Sequence, residues 1–154
     1  MDNVNVIRIG FIAPRFQLPD SNYEMGDPID RSGDRYTLLV FINADDNGVR
    51  VASDLQKGLP RSPVGGEYKV SLILPLKSRQ ADEFKKRFNI DFRCFCDHDL
   101  MAGKLFSVVN SASAKPAYHP IAFCIGDEGS VRYRTVLESP ADLDKLRKEL
   151  AALV

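Results

Sequence analysis

The chain has 154 residues, which suits one domain, and 44% of them are hydrophobic, enough to build a buried core. Its 21 basic and 21 acidic residues cancel, which disfavours a non-specific nucleic-acid-binding protein, because such proteins need a basic excess to neutralise phosphates. No apolar run approaches the roughly 18 residues that span a bilayer, so we expect neither a nucleic-acid nor a membrane partner.

The N-terminal stretch and the cysteine count indicate where the protein works. Charged residues and a proline interrupt residues 1–15, so this stretch lacks the continuous apolar segment of a secretory signal peptide. Three cysteines are an odd and low number, which argues against a disulfide framework. We therefore expect a cytoplasmic protein in which Cys94, Cys96 and Cys124 are free thiols.

Strands and helices alternate along the predicted chain. The run 38–42 is continuously apolar, which is typical of a strand covered on both faces of a parallel sheet. In chain order, the patterns predict extended segments and turns over 10–34, a strand over 35–43, a helix that begins after 47 and ends at 58–60, a strand over 68–74, a helix over 79–88, a strand over 92–96, a short helix over 100–106, a loop over 107–119, a hairpin of strands 120–126 and 130–136, and a helix that starts at 139–142. This order predicts an α/β fold with a central sheet of mixed direction.

Four segments, in the same order, are similar to segments of one known family. They are 11–19 (FIAPRFQLP), 39–50 (LVFINADDNGVR), 95–99 (FCDHD) and 120–133 (PIAFCIGDEGSVRY). The chain thus resembles the alkyl hydroperoxide reductase and thiol-specific antioxidant family, which includes peroxiredoxins and redoxins. The resemblance implies a thioredoxin fold of the redoxin type, with helices on both faces of the sheet. It implies a single domain over 1–154, divided into an N-terminal extended segment with turns (1–34) and a core (35–154), and it allows a homodimer, as in many relatives.

The residues that carry the chemistry of this family are replaced. A cysteine at the N-terminus of a helix has a lowered pKa, because the helix dipole stabilises the thiolate. Laid on this chain without a gap, the two thioredoxin cysteines fall on Asn47 and Arg50, and the peroxiredoxin Pro, Thr and Cys fall on Asn43, Asn47 and Arg50. Neither Asn nor Arg attacks a peroxide or a disulfide. We therefore predict a degenerate site without the usual thiol chemistry and a protein that acts by binding an unidentified protein or small molecule.

Arg50 and its neighbours allow two interpretations. A cation in the first helical turn is disfavoured by the helix dipole, by about 0.3–1 kcal/mol, and Asp45 and Asp46 are close enough in sequence to offset this by pairing with it. In the first interpretation, Arg50 points into solvent beside these acids. In the second, Arg50 and the free N–H groups of the first turn form a small anion site. The predicted binding residues at this terminus are Asp45, Asp46, Asn47 and Arg50.

Two residues further along the chain complete the predicted binding site. Pro120 falls where thioredoxins carry a cis-proline that faces the active site and where peroxiredoxins usually carry an arginine. The resemblance therefore favours a cis peptide bond before Pro120 and places His119 at the same cleft. The alternative for His119 is a partly exposed loop residue without a function.

The remaining thiols supply an alternative function. Cys94 and Cys96 are two residues apart on a predicted strand, so their side chains point to one face. Such a pair forms a strained, reducible disulfide in a thiol-dependent peroxidase or oxidoreductase, or it packs as two small apolar residues. Cys124 lies in an apolar run and is predicted to belong to the core. Residues 94–99 include five side chains that could bind a metal, but they lack the spacing of zinc sites, and we expect neither a metal nor a cofactor.

Overall fold

The computed structural model describes residues 7–112, 115 and 117–153. Within these ranges the elements are, in chain order, β1 (Leu18–Pro19), β2 (Met25–Gly26), β3 (Thr37–Phe41), α1 (Asp46–Leu55), β4 (Lys69–Leu74), α2 (Ser78–Phe88), β5 (Arg93–Cys96), α3 (Met101–Leu105), β6 (Val109–Asn110), β7 (Ala117–Tyr118), β8 (Ile121–Ile125), β9 (Val131–Val136) and α4 (Pro140–Ala152). The order of the predicted strands and helices is thereby confirmed.

The central sheet has five strands in the order β5-β4-β3-β8-β9. Strand β3 lies in the middle, where it pairs with β4 in parallel and with β8 in antiparallel orientation. Every residue of β3 is buried, which explains the continuously apolar run in its sequence. The prediction of a mixed α/β sheet is confirmed.

Two apolar clusters cover the two faces of this sheet. One cluster contains buried residues of α1, α2 and α4, among them Leu55, Phe84 and Leu146. The other contains α3 and part of the N-terminal segment, with Phe106 and Phe16 packed edge to face at a ring-centroid distance of 5.6 Å. Helices therefore lie on both faces, as predicted.

The N-terminal segment is part of this core, although the predicted core begins only at residue 35. Ala13, Phe16, Leu18 and Ile29 are buried in the second cluster. The segment also forms two isolated bridges, from Ile12 to Ser130, just before β9, and from Asp20 to Phe95 in β5. It covers a sheet face that α3, with five residues, is too short to cover alone.

Helix α4 begins where the sequence predicts, whereas α1 begins two residues earlier than predicted, at Asp46. Asp45 accepts a hydrogen bond from the Gly48 N–H at the start of α1. At the start of α4, the Asp142 carboxylate accepts from the Ser139 N–H at 2.9 Å, and Pro140 is the first helical residue. None of the helices in the described ranges has both the length and the apolar composition needed to cross a bilayer.

The predicted loop at 107–119 contains a short two-stranded ladder. Val109 lies opposite Tyr118, and Asn110 opposite Ala117. Each strand has only two residues, so no alternation pattern marks them in the sequence. Tyr118 is buried and packs edge to face on Phe41 of β3, at a ring-centroid distance of 5.2 Å, a contact between residues distant in the chain.

Candidate functional site

The N-terminus of α1 is pressed against the end of β3. The chain leaves β3 through Ile42 and Asn43 and turns into the helix at Asp45, the residue that caps it. Gly48, in the first turn, lies so close to the backbone of Asn43 that a Cβ atom on Gly48 would overlap with the Asn43 carbonyl oxygen. The absence of a side chain at this position therefore allows the helix to begin next to the strand.

Asn43 binds the backbone of the residue before His119. Its Nδ2 donates to the Tyr118 carbonyl oxygen at 2.9 Å, and its Oδ1 accepts from the Tyr118 N–H at 2.8 Å. Both ends of the amide are thus occupied by one residue 75 positions further along the chain. This pair fixes the loop that leads into β8 against the start of α1.

Asn47 joins α1 to the end of the β8–β9 hairpin. Its Nδ2 donates to the Leu137 carbonyl oxygen at 2.9 Å, and the Leu137 N–H donates to the Pro120 carbonyl oxygen at 2.9 Å. The Oδ1 atom of Asn47 accepts from Arg50. Asn43, Asn47, Arg50 and Pro120 therefore belong to one hydrogen-bonded region around the helix terminus.

Arg50 lies one position beyond the first turn, because α1 begins at Asp46 and Arg50 is its fifth residue. Its Nη2 donates to Asn47, whereas Asp45 caps the helix and Asp46 is exposed. The predicted place in the first turn and the expected pairing with the two acids are therefore wrong. The Nη1 atom of Arg50 is buried and has no hydrogen-bond partner among the described residues.

Asp45 and Asp46 face a cavity that Arg50 does not line. The cavity, of about 380 Å³, lies between α1 and α2, and we call it the α1–α2 groove. The residues that line it are Ala44, Asp45, Asp46, Val49, Leu76, Gln80, Glu83, Phe84, Arg87 and Phe88. The structure thus divides the predicted binding residues into two groups, one in this groove and one around Asn47 and Arg50.

The peptide bond before Pro120 differs from what the resemblance implies, and the place of His119 at a cleft stays a prediction. No cis peptide bond occurs in the described residues, so the bond between His119 and Pro120 is trans. The His119 side chain is exposed, and only its backbone N–H is held, by the Val108 carbonyl oxygen at 2.8 Å. Pro120 contributes its carbonyl oxygen to the contact with Leu137.

The thiols lie in the core, on the sheet face covered by three helices. Cys94 and Cys96 point to the same face of β5, and both are buried and unpaired. Burial raises the pKa of Cys94 to about 12 and also raises the pKa of Cys96. Cys124 is equally enclosed, and burial raises its pKa to about 12. All three thiols are therefore protonated and shielded near neutral pH.

A buried hydrogen-bond network connects the site to α3, and only part of it is predictable from the sequence. The Asp97 carboxylate accepts from the Ala102 and Gly103 N–H groups, each at 2.9 Å, and from the Tyr118 hydroxyl at 2.7 Å. Burial raises the pKa of Tyr118, and the neighbouring Asp97 raises it further. The sequence places both Asp97 and Asp99 before this helix, where either could cap it, whereas nothing local predicts the contact with Tyr118.

A second cavity lies elsewhere, next to the C-terminal end of α1. It has a volume of about 550 Å³ and is lined by apolar side chains that include Leu59, Val70 and Phe92, with Arg61 and Glu67 among its charged residues. None of the predicted site residues lines it.

Comparison with known proteins places this geometry in a known fold. No family model and no curated protein matches the sequence. Among solved structures, the peroxidoxin BcpB from Mycobacterium tuberculosis is 18% identical with a TM-score of 0.74, over 96% of this chain and 99% of that one. A peroxiredoxin-like protein from Aquifex aeolicus is 16% identical with a TM-score of 0.76, over 97% of this chain and 89% of that one.

A third similar structure, peroxiredoxin Q from Xanthomonas campestris, is 16% identical with a TM-score of 0.66 and covers 89% of this chain and 90% of that one. The three alignments cover most of both chains, so the likeness extends over the whole domain. The central five-stranded sheet with helices on both faces is the arrangement of the thioredoxin-like fold. The protein therefore has the thioredoxin-like fold in the form found in peroxiredoxins.

Proposed function

We propose that this protein is a redoxin-like member of the alkyl hydroperoxide reductase and thiol-specific antioxidant family that acts by binding and not by thiol chemistry. The observation that carries the proposal is that the N-terminus of α1 carries no thiol, while all three cysteines are buried. A thiolate is the nucleophile in peroxide and disulfide reactions, and burial disfavours it. A reducing compartment such as the cytoplasm suits three unpaired cysteines.

The contacts of the two asparagines support this proposal. Both polar groups of the Asn43 amide bond to the backbone of Tyr118. The Asn47 amide donates to the Leu137 carbonyl and accepts from Arg50. The side chains at the family's catalytic positions thus stabilise the loops around the helix terminus. A terminus whose two asparagine amides are already paired is suited to holding a fixed surface for a partner.

A peroxidase assay tests the proposal. The purified protein receives hydrogen peroxide and a thiol reductant, beside a Cys94→Ser/Cys96→Ser variant and a catalytically competent peroxiredoxin as the positive control. We expect no peroxide consumption above background in either form of this protein. Turnover that disappears in the double variant would establish the alternative, a peroxidase that uses the β5 thiols. Turnover that persists in the variant would also refute the proposal.

One observation favours anion binding as a second candidate function. The Nη1 atom of Arg50 is buried without an acceptor, and an unpaired cationic donor is stabilised by an anion that reaches it. The test is a titration with inorganic phosphate, followed by the thermal unfolding temperature. We expect stabilisation that Arg50→Ala abolishes and that Arg61→Ala, at an exposed arginine, preserves. A response equal in all three proteins would exclude this site.

A further inference from the structure

The α1–α2 groove combines an apolar floor with an acidic lining. Val49, Leu76, Phe84 and Phe88 supply apolar surface, and the two phenylalanine rings pack edge to face with a centroid distance of 5.4 Å. Phe84 is buried, whereas Phe88 is partly exposed. An apolar side chain that enters the groove would therefore meet an aromatic surface that is already fixed in place.

The charges that line the groove are predominantly negative. Asp45, Asp46 and Glu83 contribute three carboxylates, and Arg87 contributes one guanidinium, which lies 5.3 Å from the centre of the Phe88 ring. Glu83 also forms an exposed ion pair with Arg79, at 3.6 Å. Exposed pairs of this kind contribute little, so Glu83 remains able to exchange this partner for another cation.

We propose that the α1–α2 groove binds a segment of a partner protein that presents an apolar side chain flanked by lysine or arginine. The apolar side chain packs on Phe84 and Phe88, and the basic side chains lie beside Asp46 and Glu83. This inference rests on the proposed binding role of the protein and names the surface and the chemistry of the partner. Charge complementarity selects such a segment, because an acidic one would be repelled by the same carboxylates.

Fluorescence polarisation with three labelled synthetic peptides of equal length tests this specificity. One alternates lysine with leucine, one alternates glutamate with leucine, and one alternates lysine with serine. We expect binding of the lysine–leucine peptide only, weakened by added salt because exposed charges are screened. Equal binding of the glutamate–leucine peptide, or of the lysine–serine peptide, would overturn the proposal, and so would no binding of any peptide.

A pair of variants locates the binding surface. Asp46→Asn/Glu83→Gln removes two carboxylates from the groove with little change in shape, and Asp144→Asn/Glu149→Gln removes two exposed carboxylates from α4. We expect the groove variant to bind the lysine–leucine peptide about fivefold more weakly, while the α4 variant binds as the unchanged protein does. Equal weakening in both variants, or none in either, would show that binding is not in the groove.

A second variant and the peroxidase assay keep the two proposals separable. Phe88→Ser removes the partly exposed ring and should weaken peptide binding while the far-ultraviolet circular dichroism spectrum remains unchanged. Unchanged binding by this variant would refute the apolar half of the proposal. Absence of both peptide binding and peroxide turnover would overturn only the groove proposal, whereas peroxide turnover by the unchanged protein would overturn the proposed function itself.

Discussion

The thiols provide the most direct quantitative test of a non-catalytic redoxin. Cys94 and Cys124 are 0% exposed and Cys96 is 4% exposed. The pKa of Cys94 and of Cys124 is raised from 9.0 to about 12 by burial. At pH 8 the thiolate fraction of such a group falls from roughly one in ten to roughly one in ten thousand, a loss of about a thousandfold in the reactive species.

The assay is a spectrophotometric thiol count with an aromatic disulfide reagent at pH 8. In the folded protein we expect reaction at least about a hundredfold slower than that of a free thiol, since burial also blocks access. In guanidinium chloride all three thiols should react at once. A Tyr23→Cys variant is the matched control, because Tyr23 is 71% exposed and its replacement should add one rapidly reacting equivalent.

One result would refute this reasoning. If the folded protein reacts rapidly in one or two equivalents, and Cys94→Ser or Cys96→Ser removes that phase, the β5 thiols are accessible and reactive. Burial would then not protect these thiols in solution. The peroxidase alternative would become the better description of its function.

Three further predictions concern stability. Tyr118→Phe removes a hydroxyl that donates to the buried Asp97 carboxylate and should lower the free energy of unfolding by about 2 kcal/mol in denaturant titration. Gly48→Ala places a methyl group against the Asn43 carbonyl oxygen and should lower the unfolding temperature by about 4–8 °C, measured by circular dichroism. Hydrogen bonds from the hydroxyl and the N–H of Ser32 are the main cause that lowers the pKa of Asp30 from 3.8 to about 2. The stability that Asp30 contributes to the fold is therefore present above pH 3.8 and is lost as the pH falls towards 2. Asp30→Asn should therefore reduce the loss of stability over that interval in acid titrations.

Matched control variants test whether each change in stability comes from the contact that the substitution removes or disturbs. Tyr23→Phe removes an exposed hydroxyl, and Ser53→Ala changes a different α1 position. Asp144→Asn changes an exposed carboxylate on α4. Each should change stability by less than about 0.5 kcal/mol. If a control equals its partner variant, the buried hydrogen bond, the close helix contact or the lowered pKa is not the cause of the effect.

The sequence by itself determines the order of the elements and most of their ends. The apolar run of β3, the Ser139-Pro140 start of α4 and the capping Asp97 are local signals, since each depends on residues within a few positions. The two-residue strands β6 and β7 escape such signals, because long-range pairing holds them. The buried side of the N-terminal segment escapes them for the same reason.

At the candidate site, the sequence determines that Asn47 and Arg50 stand where thiols are expected, but only the tertiary structure decides what these residues do. Asn47 donates to Leu137, 90 positions away, and Arg50 donates to Asn47 and not to Asp45 or Asp46. The Asn47–Leu137 contact follows from how distant segments pack, and spacing along the chain cannot reveal it. The packing of distant segments also buries the cysteines and forms the α1–α2 groove. The identity of each side chain is therefore known from the sequence, whereas its accessibility depends on the tertiary structure.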